Sequence, residues 1–325
     1  MSPQKSLNNV FESLMSDNRI FQNKEVLRHS YTPQELPHRD KEIQSIAQVL
    51  VSVLRGETPS NMFIYGKTGT GKTITVDYVT NQMKEKSKEY NTDVDVIYLN
   101  CRVVDTQYRV LSKLAQYYGE NVPSTGWPTD EVYETFLSNL DEEERYLVVI
   151  LDEIDQLIKK SGDDILYNLS RINSSLDNSN VSIVGISNDL KVKEEFDSRV
   201  ISSLGEEEII FPPYDAVQLK DILEKRTDKA FADDSIDDGV IPLCSALAAR
   251  EHGDARKALD LLRVSGEIVE NKGESKIEQD HVWEAKDKIE RDRISEAIKT
   301  LPTQSKLVLY SIIALKDVKE KIHTG

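Results

Sequence analysis

Residues Gly66-Lys67-Thr68-Gly69-Thr70-Gly71-Lys72-Thr73 fit G-x-x-x-x-G-K-[ST], the pattern of a phosphate-binding loop. Glycines let a backbone wrap tightly and turn its N–H groups toward phosphate oxygens, where the N-terminus of a following helix adds positive potential. In such a loop Lys72 reaches the β- and γ-phosphates and the Thr73 hydroxyl ligates Mg²⁺, so ATP or ADP with Mg²⁺ is the expected ligand. A glycine-rich turn could match the pattern by chance, but the context argues otherwise. Apolar Met62-Phe63-Ile64-Tyr65 leads in as a short strand, and Val76, Val79 and Met83 follow at helical spacing.

Leu147-Val148-Val149-Ile150-Leu151 is an apolar strand that ends in Asp152-Glu153. In open α/β folds ligands bind at the carboxyl edge of the sheet, so Asp152 is a candidate Mg²⁺ ligand opposite Thr73. Glu153 is then the candidate general base for the attacking water. The plainer reading is an acidic N-cap for the next helix. Asn188 follows another apolar strand, where its amide can bond both the γ-phosphate and the lytic water, or simply form a turn. Arg199 is either a finger directed at a neighbour's γ-phosphate or a surface salt-bridge partner. Arg256 lies in the first turn of a helix, where the dipole disfavours a cation; a nucleotide phosphate or a nearby carboxylate must draw it there.

Strands and helices must alternate to present these groups together. The strand candidates are Met62–Tyr65, Val94–Leu99, Tyr146–Leu151, Val181–Ile186 and Glu208–Phe211. Between them Tyr108, Leu111, Leu114 and Tyr118 mark a helix over Thr106–Tyr118, and Val132, Tyr133, Phe136 and Leu140 mark one over Thr129–Leu140. Val122–Pro128 reads as a loop. The expected result is a parallel five-stranded sheet with flanking helices. After Pro212-Pro213 the pattern becomes all-helical, with helices near 216–230, 235–251, 254–271 and 278–299, and a further apolar helix from Ser305. Asp215 and Gln218 resemble a capping box at the start of the first.

Composition removes several classes. No apolar run approaches the roughly 18 residues needed to cross a bilayer, and Met1–Asn9 lacks a signal-peptide pattern, so a cytoplasmic protein is expected. Cys101 and Cys244 are far apart and read as buried and reduced; neither they nor His29, His38, His252, His281 and His323 have metal-ligand spacing. The net charge is −16, yet residues 291–325 carry seven Lys/Arg against four Asp/Glu, which leaves −19 on residues 1–290. Contact with nucleic acid must therefore be local.

The ordered set Gly66–Thr73, Asp152-Glu153, Asn188, Arg199 and Arg256 resembles the AAA+ ATPases. Further segments resemble archaeal origin-recognition-type replication initiators: Tyr31-Thr32-Pro33-Gln34-Glu35-Leu36-Pro37-His38-Arg39, Asn100-Cys101-Arg102, Ser198–Leu204, Phe211-Pro212-Pro213-Tyr214 and Gly253–Leu259. The resemblance runs from about Phe21 to the C-terminus. It implies an AAA+ α/β nucleotide domain over 1–213, a helical lid over 214–290, and over 291–325 the start of a truncated winged-helix domain, of which Leu301–Leu309 resembles the opening helix. It implies roles for Asn188 as sensor 1, Arg199 as arginine finger and Arg256 as sensor 2, and nucleotide contacts from Tyr31, Arg39, Tyr214 and Arg226. It further implies a slow ATPase that binds double-stranded origin DNA, associates with the nucleoid and helps recruit the replicative minichromosome maintenance helicase, with self-association through Arg199. DNA would meet the Cys101–Pro128 insertion, where Arg102 and Arg109 are the cations, though weakly in a chain that stops at Gly325. A clamp or helicase loader and a nucleotide-gated signalling ATPase are the alternatives.

Overall fold

The computed structural model describes residues 20–200, apart from 120 and 124, and residues 207–316. Met1–Asn9, Ser124, Ile201–Leu204, Lys319, Lys321 and His323 lie outside the described residues.

Five parallel strands form one sheet: β1 (Met62–Gly66), β2 (Val94–Asn100), β3 (Tyr146–Asp152), β4 (Asn180–Ser187) and β5 (Glu207–Phe211), in the order β2-β3-β4-β1-β5. Each expected strand is present, longer by one or two residues. β3 is buried along its whole length, as a central strand covered on both faces must be. Alternate residues feed two cores. Leu147, Val149 and Leu151 pack with Phe63 and Tyr65 on one face, while Tyr146, Val148 and Ile150 pack with Met62 and Ile64 on the other.

Helices α1 (Asp40–Leu54) and α2 (Lys72–Tyr90) cover the second of these faces. Helices α3 (Gln107–Tyr117), α4 (Thr129–Leu140), α5 (Ile154–Ser161) and α6 (Asp164–Ser170) cover the first. Leu111 and Leu114 of α3, and Val132, Phe136 and Leu140 of α4, are fully buried, with Tyr108, Tyr118 and Tyr133 packed beside them. Residues 40–54, given no element in the sequence reading, form α1 by burying Ile46, Leu50 and Val53 along one stripe.

After the sheet come α7 (Ala216–Ala230), α8 (Val240–Arg250), α9 (Ala255–Lys272), α10 (Gln279–Thr300) and α11 (Thr303–Lys316). The capping box before α7 is formed: Gln218 N–H donates to Asp215 Oδ1 at 2.8 Å, and Asp215 N–H donates to Gln218 Oε1 at 3.1 Å. The helix expected over 235–251 begins only at Val240. Upstream, the backbone is committed to a parallel bridge: Asp237 N–H donates to the Ile277 carbonyl and Ile277 N–H to the Ser235 carbonyl.

Two compact units emerge. One comprises residues 29–222 and 245–257 and holds the sheet; the other groups described residues 20–28, 223–244 and 258–316. In the second, the Phe21 ring lies tilted, 4.7 Å from that of Phe231, and against Gly266, where a Cβ would meet the Phe21 ring at 2.4 Å. Lys24 pairs with Glu267 at 2.7 Å in the same unit.

Candidate nucleotide site

The loop between β1 and α2 takes the shape its glycines permit. Gly69 and Gly71 have φ of +75° and +91°, in the left-handed region that side chains disfavour. Lys72, the first residue of α2, turns back under the loop. Its Nζ donates to the Gly66 carbonyl at 2.7 Å, to the Lys67 carbonyl at 2.9 Å and to Asn188 Oδ1 at 2.9 Å. Burial pushes the Lys72 ammonium down to about 8; the charge of Asp152 works the other way, and that of Arg256 adds to the lowering.

Asn188 follows β4 in a turn where Asp189 N–H donates to Ser187 Oγ at 2.9 Å. The two strand ends β1 and β4 thus place a lysine and an amide, 116 residues apart in sequence, in direct contact. At the end of β3, Asp152 Oδ2 accepts from the Thr73 hydroxyl and from the Tyr98 hydroxyl, each at 2.8 Å. Its Oδ1 accepts from Glu153 N–H at 2.8 Å. An alcohol and a carboxylate oxygen side by side at a loop built for phosphate are the hard donors that Mg²⁺ takes together with water and phosphate oxygens, so the residues fit that ion.

Glu153 has φ of +55°, a strained geometry for a residue with a side chain, costing on the order of 1 kcal/mol. It precedes α5 without capping it through its side chain. Its Oε2 is instead buried and ion-paired with Arg102 Nε, without an aligned hydrogen bond. Arg109, the other cation expected to face DNA, pairs with Asp105 at 3.1 Å.

Three further expected residues reach the loop or its flank. Arg39 is buried and donates to the Thr70 carbonyl at 2.9 Å; its guanidinium lies 3.8 Å from the centre of the Tyr214 ring. A Cβ on Gly71 would meet the Tyr214 hydroxyl at 2.7 Å. Arg256, exposed in the first turn of α9, is brought near the loop because Ala255 N–H donates to the Gly69 carbonyl at 3.1 Å. Asp254 caps that turn, its Oδ1 accepting from Arg256 N–H at 2.9 Å, and a Cβ on Gly69 would fall 1.7 Å from the same oxygen.

Tyr31 is partly exposed. Arg226 belongs to the second unit, where it donates to the Val26 carbonyl at 3.0 Å. Arg199 pairs with Asp197 at 3.0 Å and lies 5.1 Å from the Tyr167 ring. Tyr98 was missed: a tyrosine within an apolar strand, three residues before Cys101, was the available signal. Asp155 was missed too; it accepts from the Ser187 hydroxyl at 3.2 Å and so ties α5 to the end of β4.

With this geometry in view, comparison with known proteins gives a consistent answer. Residues 55–190 match the family model described as an AAA domain, and residues 220–287 match the Cdc6 AAA+ ATPase-type lid domain. The chain is 59% identical over 318 residues to the ORC1-type DNA replication protein of Pyrococcus furiosus, covering 97% of this chain and 76% of that protein. It is 56% identical over 317 residues to ORC1-type DNA replication protein 1 of Methanosarcina mazei, with 98% and 76% covered. The solved Aeropyrum pernix ORC1 protein in complex with DNA superimposes with a TM-score of 0.84 at 48% identity, over 93% of this chain and 78% of that one. The Aeropyrum pernix ORC2 protein, solved as ADPNP-ADP complexes, gives a TM-score of 0.72 at 25% identity, over 82% and 72%.

Proposed function

The chain belongs to the ORC1-type DNA replication proteins, archaeal initiators of the AAA+ class, and from that premise we propose that it is an ATP-switched initiator that binds origin DNA and helps bring in the replicative helicase. The observation that carries the nucleotide half is the convergence of Lys72 with Thr73, of Asp152 and of Asn188 from three separate places in the chain. The loop N–H groups and Lys72 would hold the β- and γ-phosphates. Thr73 and Asp152 would hold Mg²⁺, which when bound offsets phosphate charge. Glu153 would take the proton of the attacking water once it is free of Arg102, and Asn188 would orient that water. Arg256, held near the loop through Asp254 and Ala255, would sense the γ-phosphate.

The DNA half is supported by kinship with a protein solved in complex with DNA. Because residues 1–290 carry −19, duplex contact would be confined to small basic stretches. Arg102 and Arg109 already face carboxylates, so phosphates would compete with Glu153 and Asp105 for them. Arg199, exposed in the first helical residues after Asp197, would meet the nucleotide of a second copy only by leaving that partner. The reading is tested by titrating one origin-like and one scrambled duplex, with ATP, with ADP and without nucleotide, at several salt concentrations. Nucleotide-dependent preference for the origin-like duplex supports it; equal binding under all conditions speaks against it.

A further inference from the structure

Arg39 has the largest side chain among the fully buried described residues, with 1% of its surface exposed. A buried guanidinium is costly unless its donors are used. Here they are. Nε donates to the Thr70 carbonyl at 2.9 Å, one terminal nitrogen to the Pro212 carbonyl at 2.7 Å, and the other to its own neighbour's carbonyl at His38, at 3.2 Å. Glu42 Oε1 lies 3.6 Å away, and the Tyr214 ring lies beneath the plane of the group. These donors are directed at backbone, and the carbonyls come from three different segments.

The Thr70 carbonyl is the informative one. No peptide among the described residues is cis, so the Thr70 carbonyl and the Gly71 N–H point in opposite directions within one peptide plane. By fixing the carbonyl outward, Arg39 turns the Gly71 N–H to the other side, where a phosphate oxygen can be met. Gly71 itself is held between this arginine and Tyr214: a Cβ there would lie 3.6 Å from Arg39 Nε as well as against the tyrosine hydroxyl. Gly253 in turn seats Tyr214, whose N–H donates to the Gly253 carbonyl at 3.3 Å.

We propose that Arg39 is a positioning residue that presets the phosphate loop from outside, with Tyr214 as its seat, and that it does not act as a contact to the adenine base. The proposal rests on the nucleotide-site reading above. It separates cleanly from a base contact because a preset loop serves any ligand with a diphosphate, whereas a base contact serves only nucleotides.

The experiment displaces a fluorescent ADP from the full chain with ADP and with inorganic pyrophosphate, in wild type, Arg39→Lys and Tyr214→Leu. Thermal melting without ligand is recorded for each. Arg39→Lys keeps the charge but loses the planar fork, and affinity for both ligands should fall in parallel by about tenfold or more, as for loss of charge-assisted hydrogen bonds. Tyr214→Leu removes the seat while leaving every donor of Arg39 present; it should weaken both ligands in parallel, by a smaller factor. Should Arg39→Lys fail to fold, the Tyr214→Leu ratios decide the matter alone. Loss of ADP affinity with pyrophosphate unaffected overturns the proposal in favour of a base contact, and unchanged affinity for both overturns it outright. A wild-type chain that binds neither ligand would defeat the nucleotide-site reading itself, and this proposal with it.

Discussion

Arg102 Nε is ion-paired with Glu153 Oε2, joining the residue two past the end of β2 to the residue one past the end of β3. The arginine side chain is 68% exposed and the glutamate 19%, so the partner in solvent holds the partner nearer the site. A carboxylate pressed against a guanidinium is not free to accept a hydrogen bond from water. Arg102→Ala should therefore raise steady-state ATP hydrolysis, by about fivefold at most, the worth of a largely exposed ion pair. Phosphate release assays check this. A fall in rate would mean that Arg102 assists the chemistry.

Glu153→Gln keeps shape and removes the base. Nucleotide affinity should be retained while hydrolysis drops by ~10² to 10⁴-fold. Turnover at the wild-type rate would reduce Glu153 to the strained start of α5.

Tyr98 gives Asp152 a second hydrogen bond, so Tyr98→Phe should loosen the carboxylate that faces Thr73. Groups that orient a metal ligand commonly change metal affinity by about tenfold or more. The Mg²⁺ concentration needed for half-maximal ADP binding should rise by about that factor, with metal-free ADP binding unaffected. A parallel loss in both would point to a damaged loop.

Much of this was readable in advance, for physical reasons that differ by residue. Gly66–Thr73 is legible because phosphate wrapping constrains adjacent residues, and Asp215 with Gln218 because a capping box spans only four. The strands are legible because a parallel sheet covered on both faces demands unbroken apolar runs such as Leu147–Leu151. The stripe Ile46, Leu50, Val53 is a signal of the same kind, yet α1 went unread. Arg102 was read only as a basic group, and Arg39 as a nucleotide contact, because their partners Glu153, Thr70 and Pro212 are distant in sequence. No local pattern announces such pairings. The start of α8 was misplaced for a similar reason, since the bridge of Ile236 to Ile277 is a long-range event.

A structural prediction concerns Asp141, just after α4. Its Oδ1 accepts from the N–H groups of Asn178 and Ser179, each at 2.8 Å, and its Oδ2 from that of Asp177 at 2.9 Å. Burial opposes ionisation, but these three donors outweigh it and hold the carboxyl below its ordinary value of 3.8. A carboxyl lowered on folding contributes stability above the unfolded value and loses it as pH falls from there through the folded one. Asp141→Asn should cost about 1 to 3 kcal/mol at neutral pH. Its cost should shrink below about pH 4, where the wild type loses the same contribution. Urea unfolding at pH 7 and pH 3.5 checks this; an equal cost at both would contradict it.

The central claim is that the groups gathered around Lys72 form a nucleotide-phosphate site. Its most direct test is isothermal titration of ATP and ADP, with Mg²⁺, into wild type and Lys72→Ala. The substitution removes the buried ammonium that Gly66, Lys67 and Asn188 hold in place, and with it the main side-chain charge available to the β- and γ-phosphates. The account predicts saturable binding of both nucleotides by the wild type, and none measurable by a Lys72→Ala chain whose circular dichroism is unchanged. Undiminished nucleotide affinity in that folded variant would contradict it.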